Sequence, residues 1–120
     1  MIVTALNHYA GFEGEPELVF KAADDKLVVK LWEGYFDRIL AAAIPNQAGY
    51  WEGLALIYHT HTSWYESSPV KFTEAETGLR QLHEWFSGNW DSATQAAYRS
   101  LLTLFDYAVR NRLPIIVDYS

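Results

Sequence analysis

His59-Thr60-His61 is the one spacing in this chain that suggests a metal centre. On a β-strand, side chains two residues apart point the same way, and both imidazoles could reach one Zn²⁺. On a helix the same pair points about 200° apart and cannot share an ion. A third ligand would have to come from Glu66, His83 or Glu84, and no spacing demands any of them. The histidines are therefore read as polar or packing residues, with no metal and no cofactor assigned. His83-Glu84 is followed by Trp85-Phe86-Ser87, which leaves out the second histidine of a metalloprotease helix. Ser63 and Ser67 lack the glycine-flanked elbow of a serine hydrolase. Gly11, Gly14 and Gly34 are too scattered to cradle phosphate. No catalytic residue is assigned.

What remains is a surface chemistry of rings and carboxylates. Residues 39–70 contain no Lys or Arg, yet they hold Tyr50, Trp51, Tyr58, Trp64 and Tyr65 beside Glu52 and Glu66. A second acidic group, Glu13, Glu15 and Glu17, is interrupted by Gly14 and Pro16 and reads as an exposed turn. Aromatic side chains anchor interfaces, and carboxylates receive cationic side chains. The candidate partner-binding residues are thus Glu13, Glu15, Glu17, Glu52, Trp64, Tyr65 and Glu66. Glu74 and Glu76 are explained by the start of a helix, where negative charge is favoured.

The composition sets the same direction. A chain of 120 residues, half of them hydrophobic and 16% aromatic, is expected to be one globular domain over residues 1–120. The formal net charge of −6 disfavours direct nucleic-acid binding and anionic membrane surfaces. It favours a basic protein partner. The chain has no cysteine, so disulfides and thiolate chemistry are excluded. Residues 1–10 lack the pattern of a secretory signal, and apolar stretches such as 39–44 are too short to span a bilayer. A cytoplasmic protein is the expectation.

The elements that must position these residues follow from hydrophobic spacing. Leu27, Leu31, Tyr35, Ile39 and their neighbours predict an amphipathic helix over 25–43, capped by Asp24 or Asp25. Residues 17–22 fit a short helix or a strand. Thr73 and Glu76 form a capping-box pattern opening a helix over 74–86, weakened slightly by Gly78. A further helix follows Asp91 and stops at Pro114, and Ile115-Ile116-Val117 reads as a strand paired with residues 2–6. Residues 50–65 fit both periods, with the first half assigned to helix. Between Trp85 and Trp90, around Ser87-Gly88-Asn89, one indole is expected to pack between the flanking helices. The expected fold is mainly α, a compact bundle of about four helices with a minor β element from the terminal strands. The alternative is α+β, with 50–65 in a sheet.

Three functions fit this reading. The first is a small acidic protein-binding module, an immunity or antitoxin type of inhibitor that neutralises a basic toxin or nuclease. The second is a small-molecule-binding domain or enzyme with an aromatic pocket near residues 50–65 and His59 or His61 as acid or base. The third is a domain that self-associates through an exposed aromatic face.

Overall fold

Asp24 and Asp25, expected to cap a helix, turn a β-hairpin instead. The computed structural model describes residues 4–59 and 69–119. Its elements in order are β1 (Thr4–His8), β2 (Glu17–Ala22), β3 (Leu27–Trp32), α1 (Glu33–Leu40), α2 (Gly53–His59), β4 (Val70–Phe72), α3 (Ala75–Trp85), α4 (Ser92–Arg110) and β5 (Ile115–Tyr119). Asp25 takes a left-handed φ of 63°, a conformation that short polar side chains tolerate. The Asp24 carboxylate accepts the Lys26 N–H at 3.1 Å and the Tyr107 hydroxyl at 2.5 Å. The turn is thereby closed locally and fastened to α4.

The single helix predicted over 25–43 is therefore a strand followed by a helix. Leu27, Val29 and Leu31 alternate inward from β3, whereas Tyr35, Phe36, Ile39 and Leu40 form the buried face of α1. Leu27, Leu31, Tyr35 and Ile39 are spaced by four, a spacing that strand alternation and helical periodicity both satisfy. Trp32, extended at φ −64° and ψ 137°, is the junction.

The mainly α expectation is overturned. The described residues form an α+β fold around a five-stranded mixed sheet of order β1-β3-β2-β5-β4. β1 runs parallel to β3, and the other neighbours are antiparallel. β5 pairs with β2, Leu18 opposite Tyr119, and with β4, Phe72 opposite Ile115, but not with β1. The β2–β3 hairpin occupies the position between the two terminal strands. Residues 53–59, part of the segment that the α+β alternative had placed in a sheet, are helical, and residues 60–65 of that segment lie outside the described residues.

One face of the sheet is covered. Leu18, Phe20, Ala22, Leu27, Val29, Leu31, Phe72, Ile115 and Val117 point into a core shared with α1 and α4. Asp91 caps α4 as expected, accepting the Thr94 N–H at 3.1 Å. The Thr73–Glu76 capping box does not form: Thr73 follows β4 directly, and α3 begins after Glu74 without a side-chain cap. Trp85 is buried, while Trp90 is half-buried against Tyr98 and the exposed Phe86. No helix of the described residues is long and apolar enough to cross a membrane.

Gly78 has a packing role that its helical position alone did not show. A Cβ added there would lie 2.5 Å from the Phe105 ring and 3.1 Å from Phe72. Helix propensity alone predicts that Gly78→Ala stabilises by about 0.8–1 kcal/mol. Overpacking a close helix contact costs about 1–3 kcal/mol, and here it outweighs propensity. Gly78→Ala should lower the urea midpoint; a raised midpoint would refute the close contact of α3 with α4.

His8 points inward from β1, its Nε2 2.7 Å from the Ser100 hydroxyl on α4. Burial holds its pKa below the ordinary histidine value. A group with a depressed folded pKa stabilises above its unfolded value, near pH 6.5, and that contribution is lost as pH falls through the folded pKa. Thermal melts from pH 7.5 to 5 should show a fall in Tm that His8→Gln flattens; an equal fall in both proteins would count against it.

Candidate functional site

The α1–α2 connection is organised by one side chain. The Asn46 side-chain oxygen accepts the N–H groups of Ala48 and Tyr50, both at 3.0 Å. The Asn46 N–H donates to the Tyr50 carbonyl, and the Gly49 N–H to the Asn46 carbonyl, each at 2.8 Å. Gly49 supplies the left-handed φ of +84° that this turn requires. The closed turn holds Tyr50 out at 70% exposure, with Ile44 at 77% on the same connection. Tyr50 stands on the hydrogen-bonded turn and Ile44 precedes it, and both are large apolar side chains left in solvent.

The start of α2 is clamped to α3 by Gln81. Its side-chain oxygen accepts the Leu54 N–H at 2.8 Å, and its amide nitrogen donates to the Glu52 carbonyl at 2.9 Å. Gln81 and Leu54 are buried, so the first bond satisfies a backbone N–H that would otherwise lie without water. Gly53 passes beneath this amide in a left-handed conformation, where a Cβ would collide with the Gln81 oxygen. Tyr58 packs edge-on against Phe36 of α1 at 5.7 Å. Its phenol pKa is raised by burial first and then by its hydrogen bond to Asp37.

Charge is arranged around Arg80. Its guanidinium meets Glu84 at 3.2 Å and Glu52 at 3.4 Å. All three side chains are about half-exposed, so each pair contributes no more than about 1 kcal/mol. Stability here comes from the buried Gln81 clamp, and the ion pairs set the charge of the surface. Two carboxylates share one cation, and together with Ile44, Asn46 and Trp85 they line an open cleft of about 270 Å³. The cation-free stretch of sequence thus acquires a cation from α3.

Of the candidate residues, the structure places only Glu52 at this cleft. Glu13 and Glu15 are exposed on the β1–β2 connection, and Glu17 opens β2 opposite Trp32. That connection is fastened by Phe12, stacked on Trp32 at 4.2 Å, and the Arg38 guanidinium lies over the Trp32 ring, 5.7 Å from its centre. Backbone N–H groups of Glu13 itself and of Gly11 hold the Glu13 pKa below the usual carboxylate range. Trp64, Tyr65 and Glu66 lie outside the described residues, as does His61. His59 ends α2, exposed and stacked on Trp51 at 3.8 Å, so the strand geometry that a shared metal needed is not present at this histidine. No group of three His, Asp or Glu side chains placed to hold a metal occurs among the described residues.

A larger cleft, about 520 Å³, lies between the start of α3 and the end of α4, where Lys71 and Arg112 face Glu74 and Glu76. His59 lines neither cleft. The mixed charges of the larger cleft select no ligand class, and it lacks exposed large apolar side chains. The α1–α2 site is the better candidate on both counts.

Ile44, Asn46, Arg80 and Gln81 were missed from sequence. Pro45-Asn46 and Gly49 are turn signals, and Arg80 and Glu84 stand at helical pair spacing. Nothing local marks Gln81, whose role depends on the approach of α2. No family model matches the chain, and neither curated proteins nor solved structures give a match.

Replacing Gln81 by Met keeps the volume but strands the buried Leu54 N–H, whereas the Glu52 carbonyl retains the Leu56 N–H at 3.2 Å. The expected loss is about 1–3 kcal/mol per unsatisfied buried group. Arg80→Met should cost less than about 1 kcal/mol. Urea unfolding of the two variants checks the order, and equal losses would show that the ion pairs hold α2 as firmly as the clamp.

Proposed function

We propose that this chain is a protein-binding module whose α1–α2 connection docks a basic protein, in the manner of an immunity protein or antitoxin that neutralises a toxin or nuclease. The observation that carries the reading is Tyr50, held 70% exposed on a hydrogen-bonded turn two residues before Glu52, which lines the cleft with Glu84. A tyrosine buries a large area for the loss of only two side-chain torsions, and the Asn46 turn has already lost its backbone freedom. The anchor therefore binds with little further ordering cost. Glu52 and Glu84 supply acceptors that one arginine does not saturate, which suits Lys or Arg side chains on the partner. The overall charge of −6 adds steering toward a cationic protein.

The test is capture from the native source on immobilised protein at low and high salt, followed by affinity measurement with variants. A basic protein should be retained and weakened by salt. Tyr50→Ala should reduce affinity about 30-fold or more, the scale of an interface hot spot, without lowering Tm. Glu52→Gln with Glu84→Gln should slow association and reduce its salt dependence. A captured partner that binds all these variants like the parent would place the contact elsewhere on the molecule.

A further inference from the structure

The two edges of the sheet are built differently. β4 is only three residues long, follows Pro69 and presents the exposed Lys71. Short length, proline and lysine are the devices that keep an edge from pairing with another strand. β1 has none of them. It is five residues, Thr-Ala-Leu-Asn-His, regular along its whole length, and the only one of the five strands without an acidic or basic Asp, Glu, Lys or Arg. Its inner face is fixed, with Leu6 packed against the core and His8 bonded to Ser100. Thr4 donates its N–H to Lys26, toward β3. Backbone direction alternates along a strand, so Ala5 and Asn7 turn their N–H and C=O groups to the open edge. No described strand pairs there.

We infer that β1 is a self-association edge, joining a second copy of this chain in antiparallel fashion about a two-fold axis at Leu6. In that register Ala5 stands opposite Asn7 of the second copy, and Asn7 opposite its Ala5. Each such pair exchanges two backbone hydrogen bonds, and Leu6 meets its own copy in the non-bonded position between them. The arrangement is isologous, as a two-fold contact requires. No carboxylate, lysine or arginine of the strand meets its like across the axis, which is the condition a charged edge fails. The two small outer side chains, Ala5 and Asn7, are exposed and leave room for a neighbouring strand. α3 lies at the opposite end of the sheet, where Gly78 meets Phe72 of β4, so this pairing leaves the Glu52–Arg80–Glu84 cleft open. A strand pair of this length buries less than a standard interface, so the dimer should be weak, half-formed at on the order of tens of micromolar.

Sedimentation equilibrium between about 5 and 500 μM is the test, with the concentration range set by that expected affinity. The parent chain should pass from monomer to dimer. Ala5→Pro removes an edge donor that β3 does not use, and Ala5→Lys places a charge on the strand. Each should weaken association at least tenfold, while circular dichroism shows an intact fold. Should one variant fail to fold, the other still decides. A parent chain that stays monomeric throughout, or a dimer that a folded variant leaves unchanged, would overturn the proposal.

Discussion

The fold depends on the burial of one ring, Phe105. It lies on α4 and meets Phe20 of β2 at 6.4 Å and Phe72 of β4 at 6.0 Å, while the backbone of α3 at Gly78 comes close enough to exclude a methyl group. Phe20 in turn meets Phe36 of α1 at 5.4 Å. Two strands and three helices are thus joined by four phenylalanines and a glycine. Fully burying such a ring contributes about 1.5–3 kcal/mol, a large share of the marginal stability of a domain this size. That contact also fixes how near α3 comes to the sheet. Because Gln81 is on α3 and holds the start of α2, the position of the candidate site is set by the same packing.

Sequence reasoning found the elements whose pattern belongs to one period. The long helix after Asp91 has an unambiguous apolar face and its cap, and the structure agrees over Ser92–Arg110. It failed where two elements share a phase. Leu27 and Leu31 serve an alternating strand, Tyr35 and Ile39 a helix, and the spacing of four continues across the junction at Trp32. The adjacent valines at 28 and 29 favour β structure, but what decides the matter is a partner. β3 lies between β1 and β2, and the pairing satisfies its backbone on both sides. Of these partners β2 is a hairpin neighbour, but each β1 residue lies more than twenty positions from the one it pairs with, outside any window short enough to read a helix or strand period. The pairing of β5 was misjudged for the same reason, since strand order is a property of the whole sheet.

The candidate site was half legible. The coincidence of rings and carboxylates around Tyr50 and Glu52 can be read from the chain, and the structure divides those rings by role. Leu54 and Ile57 enter the core, Trp51 and Tyr58 are half-buried, and Tyr50 stands in solvent. That division follows from α2 packing against α3, a contact between segments more than twenty residues apart. The absence of cations from residues 39–70 was a local fact with a non-local exception, because Arg80 arrives from α3 to lie between Glu52 and Glu84.

The distribution of charge separates the two layers of the molecule. All four lysines, Lys21, Lys26, Lys30 and Lys71, belong to the strands or the hairpin turn, and the helices carry arginine as their only strong base. Lys21, Lys30 and Lys71 project from the sheet face opposite the core, as register and alternation require. On the helical layer, Arg38, Arg80 and Arg110 each engage a carboxylate, which removes much of their long-range field. The sheet face is not uniformly basic, since Lys21 pairs with Asp25 at 3.0 Å and Glu17 and Asp118 share the outer face with the lysines. The two layers thus differ in the base they carry rather than in a single sign of charge. On the proposed docking reading, Glu52 and Glu84 would steer a cationic partner only within about 8–10 Å at physiological salt. On the same reading the ordered turn under Tyr50 would matter at a second stage, when short-range burial replaces steering. A flexible loop would blunt the anchor by its ordering cost, and the Asn46 hydrogen bonds reduce that cost in the free protein.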